Sequence, residues 1–269
     1  MNKDNYDELL AFAIALSQEA GKVTQHYFAM HDKGVEIKQD NSPVTTADKE
    51  INQMVIDAVQ ADYPEHGILS EEGSVNADRP RLWVCDPIDG TKGFIQGIPT
   101  ALFSLAFVVD GEAQIGVIYD SFQSRTYAAI KGHQATVNGK PLQVSARDTL
   151  NGAHFAGISS YSQIMQRRAY FDSLAASGAK QVIVPGNVFR SALVADSFID
   201  GHIFPGRSAH DVAAAKVIVE AAGGKVTDLN GKEQRYDGAI YGAIISNGHI
   251  HDELVAHMQS FGAENYIGY

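Results

Sequence analysis

One segment of this chain reads Trp83-Val-Cys-Asp86-Pro87-Ile88-Asp89-Gly90-Thr91-Lys92-Gly93-Phe94, and it takes a short apolar strand directly into two acids. Pro87 fixes its own φ and has no N–H to donate, so a turn is predicted at Asp86-Pro87, where the strand ends. Such a turn brings the carboxylates of Asp86 and Asp89 and the carbonyl of Ile88 towards one point. Three converging oxygen donors are what a hard cation such as Mg²⁺ requires.

The same segment contains a candidate anion site at Gly90-Thr91. Gly90 lets the backbone approach a ligand closely, and a short helix starting at Thr91 would offer N–H groups that attract phosphate. The segment could therefore hold a metal and a phosphate side by side. The alternative interpretation is a capped turn with surface acids, because Asp-Pro and Asp-Gly are common in loops.

Further acids stand next to predicted strand ends or helix starts. Glu71 and Glu72 follow a strand, and because neighbouring strand side chains face opposite ways, at most one of them should meet the cluster. Asp211 precedes an apolar helix and Asp48 follows two threonines, so capping a helix is the simplest role of each. The acids expected to meet in the folded chain are Glu71, Asp86, Asp89 and Asp211.

The apolar pattern predicts two helices and an antiparallel sheet in the first half of the chain. The helices are predicted over 5–30 and from Thr45 to a stop at Tyr63-Pro64, and Asp110-Gly111 predicts a hairpin. The predicted strands are Gly67–Ser70, Leu82–Cys85, Leu102–Val109, Gln114–Tyr119 and Thr126–Ile130.

After about residue 150, helices and short apolar strands alternate, which favours a smaller α/β unit. Helices are predicted over 160–176, 187–198, 209–222 and 249–260, and strands over Val182–Val184, Gly201–Phe204, Lys225–Asp228 and Ala243–Ser246. We place a boundary near 145–152. An N-terminal domain over 1–148 would carry most of the acids, and a C-terminal domain over 149–269 would supply Asp211 and substrate contacts.

The composition describes a folded, acidic chain of 269 residues with 45% hydrophobic residues and a net charge of −11. An acidic surface repels phosphate backbones, so neither nucleic acid nor an anionic membrane is an expected partner. An anionic small substrate stays open, because bound cations can reverse the field inside one pocket. The single cysteine, Cys85, and an acidic start without an apolar stretch favour a cytoplasmic protein.

Other chemistries lack their residues. The sequence contains no G-x-S-x-G elbow, no Walker loop, no G-x-G-x-x-G and no H-E-x-x-H. His249 and His251 suggest zinc, but no third ligand has suitable spacing. We therefore expect these two histidines at a solvated helix start.

With these residues assembled, the chain resembles the inositol monophosphatase superfamily of lithium-sensitive, Mg²⁺-dependent phosphomonoesterases over nearly its whole length. The D-P-I-D-G-T run is the specific motif. The matching segments are Ser42-Pro-Val-Thr-Thr-Ala-Asp48, Gly67-Ile-Leu-Ser-Glu-Glu72, Trp83-Val-Cys-Asp-Pro-Ile-Asp-Gly-Thr91, Asn138-Gly-Lys-Pro-Leu-Gln-Val-Ser145, and Asp211-Val-Ala-Ala-Ala running to Glu220-Ala-Ala-Gly-Gly224.

The resemblance implies a fold of mixed α+β and α/β character, a layered αβαβα sandwich of the inositol monophosphatase and fructose-1,6-bisphosphatase type, commonly a homodimer. It implies two or three Mg²⁺ ions per site, with Mn²⁺ as a substitute. Their ligands would be Glu71, Asp86, the Ile88 carbonyl, Asp89 and Asp211. Asp48 would help to bind a further metal or its water, Glu71 and Thr91 would orient the attacking water, and the amides of Gly90 and Thr91 would hold the phosphate.

The resemblance also implies hydrolysis of a small phosphorylated metabolite by metal-activated water, with 3′(2′)-phosphoadenosine 5′-phosphate or inositol monophosphate as the first expectation. Lys92 follows the Gly-Thr pair as in the nucleotide branch, Phe204 stands where inositol enzymes often place a Glu, and His210 replaces the family's Trp. The Phe204 ring could pack against a base. Histidinol phosphate, fructose 1,6-bisphosphate and NADP are alternative substrates, and a catalytically silent protein that binds a phosphorylated metabolite is the alternative from another class.

Overall fold

The structure, a computed structural model, describes residues 5–157 and 170–262. The chain forms a layered sandwich in the order helix, sheet, helix, sheet, helix, which confirms the predicted fold class. One core cluster lies under the first helices, one fills the middle between the two sheets, and one lies under the last helix.

The first layer consists of helix α1 (Tyr6–Phe28) and helix α2 (Thr46–Asp62), joined through a small hairpin of β1 (Glu36–Ile37) and β2 (Pro43–Val44). Thr45 and Asp48 form a reciprocal capping box at the start of α2, which satisfies backbone donors that the first helical turn leaves open. Both helices lie where the sequence predicts them.

The second layer is a seven-stranded sheet with its strands in chain order. Its strands are β3 (Gly67–Ser70), β4 (Arg81–Asp89), β5 (Leu102–Val109), β6 (Glu112–Asp120), β7 (Arg125–Ile130), β8 (Thr136–Val137) and β9 (Lys140–Pro141), with helix α3 (Thr91–Ile95) between β4 and β5. Only the β3–β4 pair of this sheet is parallel. Leu82 and Val84 face the middle core while Trp83 and Cys85 face the outer helices. Helices cover both faces, so the strands read as continuous apolar runs.

The predicted turn at Asp86-Pro87 is wrong, because β4 continues through these residues to Asp89. The ladder with β5 shifts register between Asp86 and Asp89, and this bulge accommodates Pro87. A proline has no N–H for the ladder, so within a sheet it is tolerated at such an irregularity.

The remaining layers come from the second half of the chain. Helix α4 (Asn187–Ala195), a 3₁₀ turn (Ala209–Asp211) and helix α5 (Ala213–Ala221) fill the middle layer. The second sheet has the order β11-β10-β12-β14-β13, and its strands are β10 (His154–Gly157), β11 (Lys180–Ile183), β12 (Gly201–Phe204), β13 (Lys225–Thr227) and β14 (Ala243–Ser246). Helix α6 (His251–Phe261) and the helical residues 170–176 cover its outer face.

Of the helices predicted in this half, one is broken in the structure, one ends early and one lies partly outside the described residues. The helix predicted over 209–222 is broken at Val212, and the one predicted over 187–198 ends at Ala195 because Ser197 takes a φ of +60°. Residues 160–169 of the helix predicted over 160–176 lie outside the described residues. No described helix has the length and apolarity needed to cross a membrane.

His251 is not part of a solvated helix start. It is buried, and its ring nitrogens lie 2.9 Å from the hydroxyls of Thr227 and Ser246, whereas His249 is exposed. The predicted domain boundary falls between β9 and β10, in the link between the two sheets. The division into 1–148 and 149–269 stays a prediction, because the middle core draws residues from both sides of it.

Candidate active site

The parallel pairing of β3 with β4 places the first two acids at one edge of the sheet. Ser70 is the register partner of Cys85, and the amide of the next residue, Glu71, donates to the Cys85 carbonyl at 3.3 Å. The carboxyl ends of parallel strands lie at the same edge, so Glu71 emerges beside Asp86.

The bulge at the end of β4 turns Asp89 towards the start of α4. Its carboxylate accepts hydrogen bonds from the amides of Asn187 at 2.9 Å, Val188 at 3.0 Å and Phe189 at 3.3 Å. Gly186 precedes this helix with a φ of +83°, and a Cβ there would lie 2.6 Å from Asp89 Oδ2. A glycine is therefore required for the close approach of the helix to the carboxylate.

Asp211 reaches the same place from the 3₁₀ turn. Its Oδ1 accepts a hydrogen bond of 3.0 Å from the side-chain amide of Asn187, whose backbone amide binds Asp89. Val212, not Asp211, occupies the N-cap of α5, so the predicted capping role of Asp211 is wrong.

The four expected acids lie together as two groups that share Asp86. Ligand atoms of Asp86, Asp89 and Asp211 lie within 4.8 Å of one another, and so do those of Glu71, Asp86 and His210. A shared carboxylate between two such groups suits a pair of neighbouring cations.

Burial and mutual repulsion raise the pKa values of these acids. Burial raises the pKa of Asp86 well above its usual value, and the nearby carboxylates of Glu71, Asp89 and Asp211 raise it further. Burial raises the pKa of Asp89 to about 7, with repulsion from Asp211 adding to it, and raises that of Asp211 to about 7. Crowded carboxylates of this kind are stabilised in their ionised form by a cation, and their oxygens are the ligands that Mg²⁺ prefers. The donor set therefore fits divalent ions.

Asp48 and Thr91 form the neighbouring part of the site. The Thr91 hydroxyl lies 3.3 Å from Asp48 Oδ1 and 3.1 Å from the Ile88 carbonyl oxygen, while Asp48 Oδ2 accepts from the amide of Thr45 at 2.8 Å. Asp48 thus caps its own helix, as the sequence predicts, and also faces Thr91. Burial raises the pKa of Asp48 to about 6. Gly90, between Ile88 and Thr91, takes a φ of +88° at the start of α3.

Sequence reasoning missed three polar residues of this site. Lys38 donates to Glu71 at 3.0 Å and to Glu72 at 2.9 Å, so one ammonium joins both glutamates, although only Glu71 belongs to the acidic groups. Asn187 joins Asp89 to Asp211, and His210 lies beside Glu71 and Asp211. Burial lowers the pKa of His210. The only available signal was the departure of His210 from the family's Trp.

Two residues considered for substrate choice differ in accessibility. Lys92 is exposed on α3. Phe204 is only 4% exposed and belongs to the middle core, where its ring packs against Gly206. Little of that ring is available to stack on a base.

Known proteins share this sequence pattern along almost the whole chain. The curated relatives include a fructose-1,6-bisphosphatase/inositol-1-monophosphatase of Thermotoga maritima, 32% identical over 91% of this chain and 94% of the relative. A histidinol-phosphatase of Mycobacterium tuberculosis is 31% identical over 95% of this chain and 99% of its own length. A protein of Pasteurella multocida called Nus factor SuhB is 31% identical over 83% of this chain and 86% of its own length.

The fold comparison agrees with the sequence comparison. The solved structure of a Thermotoga maritima IMPase superposes with a TM-score of 0.85 at 31% identity, covering 96% of this chain and 99% of that one. The sequence model of the Inositol monophosphatase family matches residues 5–263, which include every acid described above. The chain therefore belongs to the inositol monophosphatase family and is a phosphatase of that family.

Proposed function

We propose that this protein is a Mg²⁺-dependent phosphomonoesterase that acts on a small phosphorylated metabolite. The observation that supports this most directly is the pair of ligand groups that share Asp86. Glu71, Asp86, Asp89, Asp211 and the Ile88 carbonyl would hold the ions, with Mn²⁺ as a substitute. When bound, such ions neutralise charge on the phosphoryl group and lower the pKa of water.

The residues of the chain would then position the reactants. Phosphoryl transfer needs placement and charge neutralisation more than covalent chemistry by the protein. The Thr91 hydroxyl, which lies between Asp48 and the Ile88 carbonyl, would orient an attacking water together with Glu71. The backbone amides of Gly90 and Thr91 would bind the phosphate, and the left-handed Gly90 lets the chain approach it without a Cβ.

For the substrate, we propose inositol monophosphate first and 3′(2′)-phosphoadenosine 5′-phosphate second. The name of the Thermotoga maritima relative supports the first choice, and the buried ring of Phe204 removes one reason for a nucleotide. Lys92 still favours the nucleotide. The names of the relatives support fructose 1,6-bisphosphate and histidinol phosphate as alternative substrates. NADP is a third alternative.

Phosphate release from these five compounds with saturating Mg²⁺ tests the proposal. Wild-type protein should hydrolyse at least one, and Asp89→Asn should lower kcat at least about 100-fold because one ion loses an anionic ligand. The single amide oxygen of Asn can accept from only part of the three α4 amides that bind Asp89, so unchanged circular dichroism is required of this variant as the control for folding. Silence of the wild type with both Mg²⁺ and Mn²⁺ would favour the silent binding protein instead. A wild-type rate in Asp89→Asn would contradict the metal assignment.

Three further properties rest on the family resemblance. We propose that lithium inhibits the enzyme, that it forms a homodimer, and that it acts in the cytoplasm. Phosphate release in rising LiCl against equal NaCl tests the first, and light scattering of the purified chain tests the second. A rate that is indifferent to LiCl, or a scattering mass of one chain, would count against them.

A further inference from the structure

The side chain of His210 points its Nε2 at carboxylate oxygens of the site from a distance that a hydrogen bond does not explain. Nε2 lies 3.9 Å from Glu71 Oε2 and 3.7 Å from Asp211 Oδ2. N–H···O hydrogen bonds have donor–acceptor distances of about 2.7–3.2 Å. The ring nitrogen therefore faces these oxygens across a gap.

The two carboxylates use their other oxygens for protein contacts. Glu71 Oε1 accepts from Lys38 at 3.0 Å, and Asp211 Oδ1 accepts from Asn187 at 3.0 Å. The oxygens directed at His210 are the remaining ones, Oε2 and Oδ2. One ring nitrogen of His210 and one carboxylate oxygen each of Glu71 and Asp86 lie within 4.8 Å of one another, so one nitrogen and two oxygens converge at this position.

The 3.9 Å between His210 Nε2 and Glu71 Oε2 matches the separation of two ligand atoms that are bound to one ion. At metal–ligand distances of about 2.1 Å, two ligands of an octahedral ion lie roughly 3–4 Å apart. Imidazole nitrogen is a common metal ligand, and it favours first-row transition ions more than Mg²⁺, which prefers oxygen.

We propose that His210 supplies a nitrogen ligand to the divalent ion held by Glu71 and Asp86. This inference rests on the proposed function, because it takes the acidic groups as a metal centre. The imidazole makes this ion position a mixed nitrogen and oxygen site, while the position between Asp86, Asp89 and Asp211 has oxygen ligands. The first position therefore binds Mn²⁺ more tightly relative to Mg²⁺ than an all-oxygen site does.

Pulsed electron paramagnetic resonance of the Mn²⁺-loaded full chain tests the ligand directly. Wild-type protein should show the ¹⁴N coupling of a bound imidazole. His210→Gln should keep a protein-bound Mn²⁺ signal and lose that coupling, and the exposed His249→Gln should keep both. Bound Mn²⁺ without ¹⁴N coupling in the wild type, or coupling that persists in His210→Gln, would overturn the proposal.

Calorimetric titration with Mn²⁺ and with Mg²⁺ gives a second measurement. His210→Gln should weaken Mn²⁺ binding at least about tenfold, with a smaller change for Mg²⁺, and His249→Gln should change neither. Equal weakening of both ions would mean that the ring only supports the site and would contradict a nitrogen ligand. Asp86→Asn separates this inference from the proposed function: if Mn²⁺ binds Asp86→Asn as tightly as wild type, the metal centre itself is wrong.

Discussion

Asp86 and Asp200 are two buried aspartates, 2% and 4% exposed, in opposite surroundings. Asp200 accepts hydrogen bonds from the Ser145 hydroxyl and from the His154 amide at 2.7 Å, and the Arg147 guanidinium lies 3.4 Å away. Asp86 accepts a hydrogen bond from the Ile88 amide at 3.1 Å, and the carboxylates of Glu71, Asp89 and Asp211 lie near it. The protein satisfies the charge of Asp200 itself, whereas the charge of Asp86 is left for a ligand to satisfy.

The difference separates an acid with a structural role from one that we propose to bind metal. A buried carboxylate with donors and a cation nearby ties chain segments together, here the link after the first sheet to the start of β12. A buried carboxylate among like charges makes the protein without metal less stable, and a bound cation recovers that free energy. The same residue type therefore has opposite effects on folding and activity at the two positions.

The largest expected effect is that of Asp86→Asn on activity. Asp86 belongs to both ligand groups, so its loss weakens both ions, and we expect kcat/KM to fall about 1,000-fold or more. The metal-free variant should be at least as stable as wild type, because the substitution removes a repelled buried charge. Phosphate release and urea unfolding in EDTA measure the two changes. Loss of activity together with a large loss of stability would mean that Asp86 is structural.

Addition of Mg²⁺ should stabilise the wild type and not Asp86→Asn. A ligand that binds only the folded state stabilises it by about 2.7 kcal/mol at 100 times its Kd. Thermal unfolding with and without Mg²⁺ measures this difference, and Asp200→Asn serves as the matched control, which should keep the full shift. An equal shift in all three proteins would place the Mg²⁺ elsewhere.

Asp200→Asn should show the reverse pattern, with stability lost and activity kept. Removing the charge weakens the contacts with Ser145, His154 and Arg147, and hydrogen bonds to charged groups contribute about 1.5–3 kcal/mol. We expect the free energy of unfolding to fall by about 2–3 kcal/mol, while kcat with saturating Mg²⁺ changes less than about twofold. Urea unfolding and phosphate release on the same samples measure the change in stability and the change in activity. An activity loss at unchanged stability would erase the contrast with Asp86.

The sequence predicts the acids of the site better than their surroundings. Strands such as Gly67–Ser70 and Leu102–Val109 have the predicted bounds, because apolar runs covered on both faces are distinctive. The bulge at Asp86–Asp89 was missed because a proline after an aspartate is typical of turns, and only the register with β5 shows the strand continuing. The local sequence therefore predicted a turn, which is the more common structure for an aspartate followed by a proline.

The contacts that complete the site depend on pairings far apart in the chain. Asn187 binds Asp89 across 98 positions, and Lys38 binds Glu71 across 33. Nothing in the local sequence of Asn187 or Lys38 indicates these partners, because sheet order and helix placement bring them together. His210 was visible as a departure from the family pattern, but its distance from Glu71 required the fold. Asp200 showed no signal at all, since its partners come from the link between the sheets and from the start of β10.

The smallest expected effect is the loss of stability at low pH that is caused by His251, a buried group that is neutral. His251 is buried and neutral, and burial lowers its pKa to about 4, with repulsion from Lys225 and Lys216 outweighing Asp252 and Glu233. The unfolded pKa is about 6.5, so the unfolded chain binds more protons between pH 6.5 and pH 4. Stability is therefore full above pH 6.5 and falls as the pH is lowered through this window.

Comparison with His251→Gln isolates this effect from the carboxylates. Titration of His251 should lower the free energy of unfolding of the wild type by about 2 kcal/mol between pH 7 and pH 5. A glutamine does not titrate, so the variant does not share this loss. Urea unfolding in EDTA at both pH values measures the stability difference between the two proteins. We expect that difference to shift by about 2 kcal/mol against the wild type on acidification. If it stays constant, His251 accepts a proton in the folded protein without losing its contacts to Thr227 and Ser246, and burial does not oppose the charge on its ring.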